Sequence, residues 1–259
     1  MPRSSDAPLG PRQDFIGLVG FDDLDVQEAA AWIADRPADA PFAFAVTHNA
    51  QSLVLVAKGH DIAHACADAA LNFNDSQVVR GLARVFFGQR LKLCAGSDLT
   101  LELLRHVLRP EDPITVIGGP PDVATLLAGQ YGLRRVVQHD PPMGYAEMPD
   151  EFARAVRFVL DHPGRVTLVC TGMPRSEALL LAVHRAGGGR GFALAVGSSL
   201  HFATGLVTRA PKPMRRLGLE WLWRLALNPR QHARRVFVDS MPLLGLVLRA
   251  RWRGAARHG

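Results

Sequence analysis

The apolar run "LNFND" (71–75) closes on an aspartate, and "THN" (47–49) closes another such run. A carboxylate at the end of a strand can act as a general base, taking a proton from an attacking hydroxyl. It can equally cap the helix pattern "SQVVRGLARVF" that follows. Thr47 and Asn49 carry the same double meaning, since they suit a sugar hydroxyl, a base edge or a helix cap. Two turns bring glycines to helix starts. In "GGPPDVA" (118–124) backbone N–H groups are offered to a phosphate, or the turn is only a tight strand-to-helix connection. In "CTGMPRSE" (170–177) Arg175 has the fork geometry for a diphosphate. Arg175 and Glu177 also read as a solvated pair at a helix start, with the acid favoured by the helix dipole. Neither turn is GxGxxG or a Walker A loop.

Other chemistries find little here. The ten histidines include His60 and His64 at helical spacing, but there is no HExxH and no His/Cys cluster, so no metal site is expected. No GxSxG elbow is present, which argues against a serine hydrolase. Cys66, Cys94 and Cys170 are far apart and form no CxxC pair. They read as buried thiols of a reducing cytoplasm.

These residues need a scaffold, and the patterning supplies one. Strand candidates are 14–21, 42–48, 69–73, 90–94, 114–119, 134–139, 165–172 and 191–199, several of them almost continuously apolar. Such runs suit strands covered on both faces. Helix patterns lie between them: "DLTLELLRHVL" (98–108) with an Asp cap, "PDVATLLAGQY" (121–131), 148–162 and 174–187, the last stopped by "GGGRG". The alternation predicts an α/β fold, a Rossmann-like, mainly parallel sheet with helices on both faces. Ligands of such folds sit beyond the carboxyl ends of the strands, where "THN", "NFND", "CAGSD", "IGGPPD", "CTGMPRSE" and "GSSLHF" fall. The expected organisation is a loose N-terminal tail (1–13), an α/β body (14–210) and a basic helical appendage (211–259).

Charge sets the appendage apart. The 259-residue chain is +6 overall, yet from Leu206 onward it has twelve Lys/Arg against two Asp/Glu, leaving the rest at −4. An anionic partner is implied there. Its stretch "GLEWLWRLALNPRQHARR" (218–235) carries two tryptophans, four arginines and one acid. The late apolar segment "MPLLGLVL" (241–248) is far below the roughly 20 residues that span a bilayer.

In this order, the motifs resemble the WecG/TagA/CpsF family of bacterial glycosyltransferases, which make lipid-linked precursors of surface polysaccharides and teichoic acids. The resemblance runs from about Val46 to Val236. The family's T-x-N corresponds to Thr47-His48-Asn49, and its motif aspartate to Asp75 in "NDSQVVRGLAR". "GSDL" (96–99), "GGPPDVA", "MGY" (143–145) and "GMPRSE" (172–177) follow at the matching places. The most specific match is "RAP…GLEWLWRL…NPRQHARR". Four positions depart from the family pattern. Ser76 and Val78 replace glycines, Ser176 replaces Gln, and His201 replaces an acid. All four are expected to line the site, which implies altered specificity or weakened activity.

The resemblance implies an inverting, metal-independent transferase, with a UDP-sugar as co-substrate, no further cofactor, and a polyprenyl-diphosphate-linked sugar as acceptor. Asp75 would be the catalytic base. Substrate contacts would come from Thr47, Asn49, Asp98, Gly118, Gly119, Gly144, Tyr145, Gly172, Pro174, Arg175, Ser176, Glu177 and His201, joined by Arg224, Arg230 and Arg234 of the appendage. Without a divalent cation, the developing phosphate charge falls to arginines and helix ends.

The competing classes are a dinucleotide-dependent oxidoreductase, a nucleic-acid-binding module using the basic tail, and a catalytically weakened scaffold. The first lacks the glycine fingerprint and its acidic partner. The second leaves the enzyme-like strand ends without a purpose, so no nucleic-acid partner is expected. The appendage also suits reversible binding to the anionic inner face of the plasma membrane, through its arginines, Trp252 and the 243–248 leucines. Truncation after about Val238 is then expected to free the protein from liposomes. The alternative is that 241–248 packs on the body or on a second copy in a homo-oligomer.

Overall fold

The row of strand ends that the motifs occupy is built by a six-stranded, wholly parallel sheet. The computed structural model describes residues 10–208, 210–211, 214, 220–227 and 235–255, with backbone alone at 220, 221, 224, 227, 235–237, 254 and 255. The strands are β3 (Ala43–His48), β4 (Leu71–Asn74), β5 (Ile114–Ile117), β6 (Val136–His139), β7 (Val166–Val169) and β8 (Phe192–Ala195), in the order β4-β3-β8-β7-β5-β6. Pairing aligns their last residues: His48 lies opposite Asn74, Ile117 opposite both Val169 and His139, and Val169 opposite Ala195. Residues that follow these strands therefore emerge side by side.

Continuous apolar runs become fully covered strands because helices close both faces. One face is covered by α1 (Val26–Asp35), α5 (Gly96–Glu102, continuing as a π-helical Leu103–Val107), α6 (Val123–Tyr131) and α9 (Ser199–Ala203). The other is covered by α3 (Ile62–Asp68), α7 (Pro149–Asp161) and α8 (Arg175–Ala186). Because α6 leaves β5 toward one face and α8 leaves β7 toward the other, a crevice opens between those neighbouring strands.

A third apolar cluster lies outside the sheet. It joins α2 (Ala50–Ala57) and α4 (Gln77–Phe87) to the short strands β1 (Gln13–Phe15) and β2 (Val19–Phe21), and to Leu243 and Val247 of the C-terminal helix. The described part of the appendage is α10 (Glu220–Leu227), a π-helical Arg235–Ser240, and α11 (Pro242–Ala255).

Two expected strands are corrected. Residues 14–21 are not one strand of the sheet but an antiparallel hairpin. Ile16 and Gly17, at φ 52° and 71°, turn the chain back between β1 and β2. The hairpin covers the β4 edge: Asp22 N–H donates to Asn72 O, and Asn72 N–H donates to the Asp22 carboxylate at 2.7 Å. That occupation is why 90–94 forms no strand. Its Cys94 N–H reaches Asn74 O, while Lys92 N–H goes to Asp23.

Helix starts also differ. Asp98 does not cap its helix. The N-cap of α5 is Ala95, and Asp98 sits in the first turn. Asp122 adopts the left-handed conformation before α6 without a capping bond.

Candidate active site

The carboxyl ends of the sheet form two poles. Neighbouring strands lie about 4.8 Å apart, so the four steps from β4 to β5 span roughly 19 Å.

The first pole stands on β4 and β3. Here the double meanings of the sequence resolve residue by residue. Asp75 is not the cap of α4. Ser76 is, its hydroxyl accepting from Val79 N–H. Asp75 instead accepts Gly96 N–H at 2.9 Å, and its own N–H donates to His48 O. Asn49 does cap α2: its Oδ1 accepts the N–H groups of Gln51 and Ser52. The two readings of Asn49 are compatible, because turning Oδ1 toward the helix leaves the Nδ2 amino group on the other branch of the amide. Thr47 is buried, with its hydroxyl 3.4 Å from Ala195 O. Gly96 lies directly against it, where an added Cβ would come within 3.3 Å of the Thr47 methyl. Thus α5 begins on top of Thr47. Asp98 enters the same corner: burial, followed by the charges of Asp75, Asp25 and Asp98, pushes the Cys94 thiol up.

The second pole stands on β7, β5 and β6. Gly118 and Gly119 have φ of 70° and 96°, and a Cβ at Gly118 would approach Thr171 Cγ2 to 3.1 Å. The first turns of α6 and α8 have no side-chain cap, a feature they share with α3, α5, α7 and α9, whereas α1, α2 and α4 are capped by Asp25, Asn49 and Ser76. Free N–H groups at such ends attract anions, although at α8 the Ser176 N–H already donates to Gly172 O at 3.0 Å. Pro174 occupies the N-cap position of α8, and Gly144, at φ 81°, starts the turn into Tyr145. Arg175 folds back over Gly172, and its Nη1 is 3.2 Å from Met143 Sδ.

Three expected contact residues stand behind this surface rather than on it. Tyr145 is buried, with its hydroxyl 3.1 Å from Thr171 Oγ1, which lies 3.1 Å from Ser176 Oγ. This chain of hydroxyls bolts the loop after β6 to the turn after β7. Burial raises the Tyr145 phenol, opposed by the bond to Thr171. Glu177 is not part of a solvated pair: it is buried, and its Oε2 has no hydrogen-bond partner.

Burial raises the Glu177 carboxyl to about 7, against the opposing bond from its own backbone. Its stabilising contribution is full below the unfolded value of 4.5 and is lost as pH rises through about 7. The difference amounts to about 3 kcal/mol. Glu177→Gln is expected to flatten the fall in Tm between pH 5 and pH 8 and to raise Tm by several degrees at pH 8. Thermal denaturation across that range checks this, and parallel curves for the two proteins would refute it.

The departures are placed as follows. Ser76 caps α4, Val78 is on the outer, exposed face of α4, and Ser176 is buried against Thr171. His201 lies beyond the end of β8. It lies in α9, whose Leu200 approaches Gly119, and its Nδ1 is buried without a partner. Arg230 and Arg234 lie outside the described residues, as do the side chains of Trp221 and Arg224. A hollow of about 510 Å³ near Arg105, Gln130 and Phe202 sits on the α5–α6–α9 flank, away from the strand ends.

Sequence reading missed the polar set His48, Asn72 and Ser52 that underlies the first pole. A signal was available: Asn72 is polar in an otherwise buried strand, and a buried amide requires a partner. Among the described residues no group of three or more His, Cys, Asp or Glu is arranged to hold a metal ion. Among them, too, no helix is long and apolar enough to cross a membrane. Compared with known families, residues 14–257 match the model of the Glycosyl transferase WecG/TagA/CpsF family.

Proposed function

The chain belongs to the WecG/TagA/CpsF family of glycosyltransferases, and from that premise we propose that it transfers a sugar, with inversion, from a UDP-sugar to a polyprenyl-diphosphate-linked sugar. The observation that carries this reading is the pair of poles on one line of strand ends. A carboxylate-and-amide corner stands at one pole, and two glycine turns entering helices, with an arginine, stand at the other.

At the first pole Asp75 is the base. As the acceptor oxygen bonds to the anomeric carbon, its proton passes to the Asp75 carboxylate. The electron pair of the breaking C–O bond leaves with the diphosphate on the opposite face. The Asn49 amino group orients a sugar hydroxyl. The nucleotide lies against the glycine turns at 118–119 and 172–174 of the second pole, with Arg175, and its diphosphate extends along the strand ends toward Asp75. The remaining charge falls to Arg224, Arg230 and Arg234, without a metal ion. Support for that placement comes from Gln51, whose Nε2 is 3.4 Å from Asp239 Oδ2. The segment from Arg235 therefore runs past the first turn of α2, two residues from Asn49.

The departures favour an active transferase over an inactive scaffold, because Ser76 and Ser176 have structural positions, Val78 is exposed on α4, and none replaces Asp75 or Asn49. We place the protein peripherally on the anionic inner face of the plasma membrane, through α11.

The test is a panel of UDP-sugars with a lipid-linked acceptor analogue, with and without EDTA. Transfer by one donor, with inverted anomeric configuration and an unchanged rate in EDTA, is expected. Retention of configuration would overturn the mechanism. Tight NAD(P) binding without UDP-sugar binding would overturn the substrate class.

A further inference from the structure

Beneath the first pole runs a chain of buried polar groups that the proposed reaction does not use directly. Its centre is His48, the middle residue of "THN", which is fully buried. His48 Nε2 is 2.9 Å from Asn72 Oδ1, Nδ1 is 3.3 Å from Ser52 Oγ, and the ring stands edge-on to Phe21. The Asn72 amide is oriented by its Nδ2, which donates to Cys66 O at 2.9 Å. Its Oδ1 therefore faces the imidazole, so Nε2 carries the proton and Nδ1 faces the Ser52 hydroxyl as a lone pair. Burial lowers the imidazole to about 4, so the ring is neutral.

Each end of this chain is anchored. On one side the Asn72 N–H donates to Asp22, which pairs with Arg12, and Arg12 in turn donates to the carbonyls of Ala69 and Ala70. On the other side Ser52 Oγ accepts Asn49 N–H at 3.0 Å, and its single proton is shared between Asn49 O at 2.8 Å and His48 Nδ1 at 3.3 Å. The His48 carbonyl accepts Asp75 N–H at 2.8 Å. One residue thus touches the supports of both Asn49 and Asp75, which come from adjacent strands.

We propose that His48 is a positioning residue for the transfer: wedged between Asn72 and Ser52, it fixes the Asn49 amide and the Asp75 carboxylate relative to each other. The inference rests on the reading of Asn49 and Asp75 as site residues. Its physical reason is that a shift of about 1 Å in a reacting group can lower a rate by about 100-fold. A small rotation of α2 produces such a shift at Asn49 while leaving the sheet intact.

The test compares the full-length chain with His48→Phe and His48→Gln. Phe keeps the ring packing against Phe21 and removes both polar contacts, whereas Gln keeps a donor for Asn72 Oδ1. The readouts are donor KM and kcat, Tm, and amide hydrogen exchange at Ser52 and Asp75. For His48→Phe we expect kcat to fall at least tenfold with donor KM within about threefold. Exchange at Ser52 and Asp75 should rise at least tenfold while β5 and β7 stay protected. His48→Gln should restore both within about threefold. Unchanged kcat in His48→Phe, exchange that rises equally across the chain, or failure of Gln to restore either readout would overturn the inference. If the wild-type chain transfers no sugar, it is the reading of the site that fails. Exchange then decides the inference separately: unchanged protection at Ser52 and Asp75 in His48→Phe overturns it, and selective loss there upholds it.

Discussion

Asp75→Asn is expected to lower kcat by at least 100-fold while leaving the UDP-sugar Kd within about threefold of the wild type. The substitution isolates one property. Asp75 Oδ1 accepts the N–H of Gly96 at 2.9 Å, and the carbonyl oxygen of Asn can accept the same bond. The start of α5 therefore stays seated on Thr47, and the backbone bond from Asp75 N–H to His48 O is unaffected. What disappears is the capacity to take a proton. Donor binding should be preserved, because the turns proposed to hold the nucleotide, after β5 and β7, lie several strands away. Initial rates with the responding UDP-sugar and lipid-linked acceptor, beside calorimetric donor titration, check both halves. Turnover within a few-fold of wild type would remove Asp75 from the role of base. Asp75→Ala is a poorer test, because it also deletes the anchor of Gly96 and mixes loss of chemistry with loosening of α5.

The parts of the molecule that could be read from the sequence are those fixed by local periodicity. Continuous runs such as "ITVI", "VTLV" and "FALA" announce strands buried on both faces, and all three are. The helices at 149–161 and 175–186 fall within the predicted spans, because a proline marks the start of each and Gly187 the end of the second. That the candidate residues gather at the carboxyl ends of the strands follows from the same alternation, whereas the strand order β4-β3-β8-β7-β5-β6 does not.

Long-range competition decided the rest. Residues 14–21 have the apolar spacing of a single strand, but Gly17 lets the chain reverse, and the hairpin then takes the β4 edge that 90–94 would have used. Whether Asp75 or Ser76 caps α4 is invisible locally, since both are competent caps. The answer depends on Gly96, twenty-one residues on. Glu177 reads as a surface acid by type and position, and only the packing of α8 against α3 buries it. The network around His48 joins residues from 12 to 72, so spacing carried no trace of it beyond the anomaly of a buried Asn72.

The second large effect concerns α11, where the structure changes which experiment is informative. Leu243 and Val247 are buried against α2 and α4, so the helix is part of a core and not only a foot. Removing it strips two apolar side chains worth about 1.5–3 kcal/mol each. Truncation after Val238 would thus destabilise the body as well as detach it. The opposite face is the one to change. Met241, Leu244, Leu248 and Trp252 recur at spacings of three and four residues and are all exposed, between 39% and 75%. Such spacing draws one apolar stripe along a helix. Arg249, Arg251 and Arg253 are exposed beside it. An apolar stripe flanked by arginines suits the interface of an anionic bilayer, where each nearby arginine contributes about 1 kcal/mol. Leu248→Glu/Trp252→Glu should therefore reduce partitioning onto vesicles containing anionic lipid at least 30-fold, the order expected when apolar anchors are replaced by like-charged groups. Tm should stay within about 2 °C, because neither residue belongs to the buried side. Raising the salt should weaken the wild-type protein's binding and have little effect on the residual binding of the variant. Co-sedimentation with vesicles of mixed neutral and anionic lipid, read beside thermal denaturation, separates the outcomes. Undiminished binding by the doubly substituted protein would show that the exposed stripe of α11 does not contact the membrane.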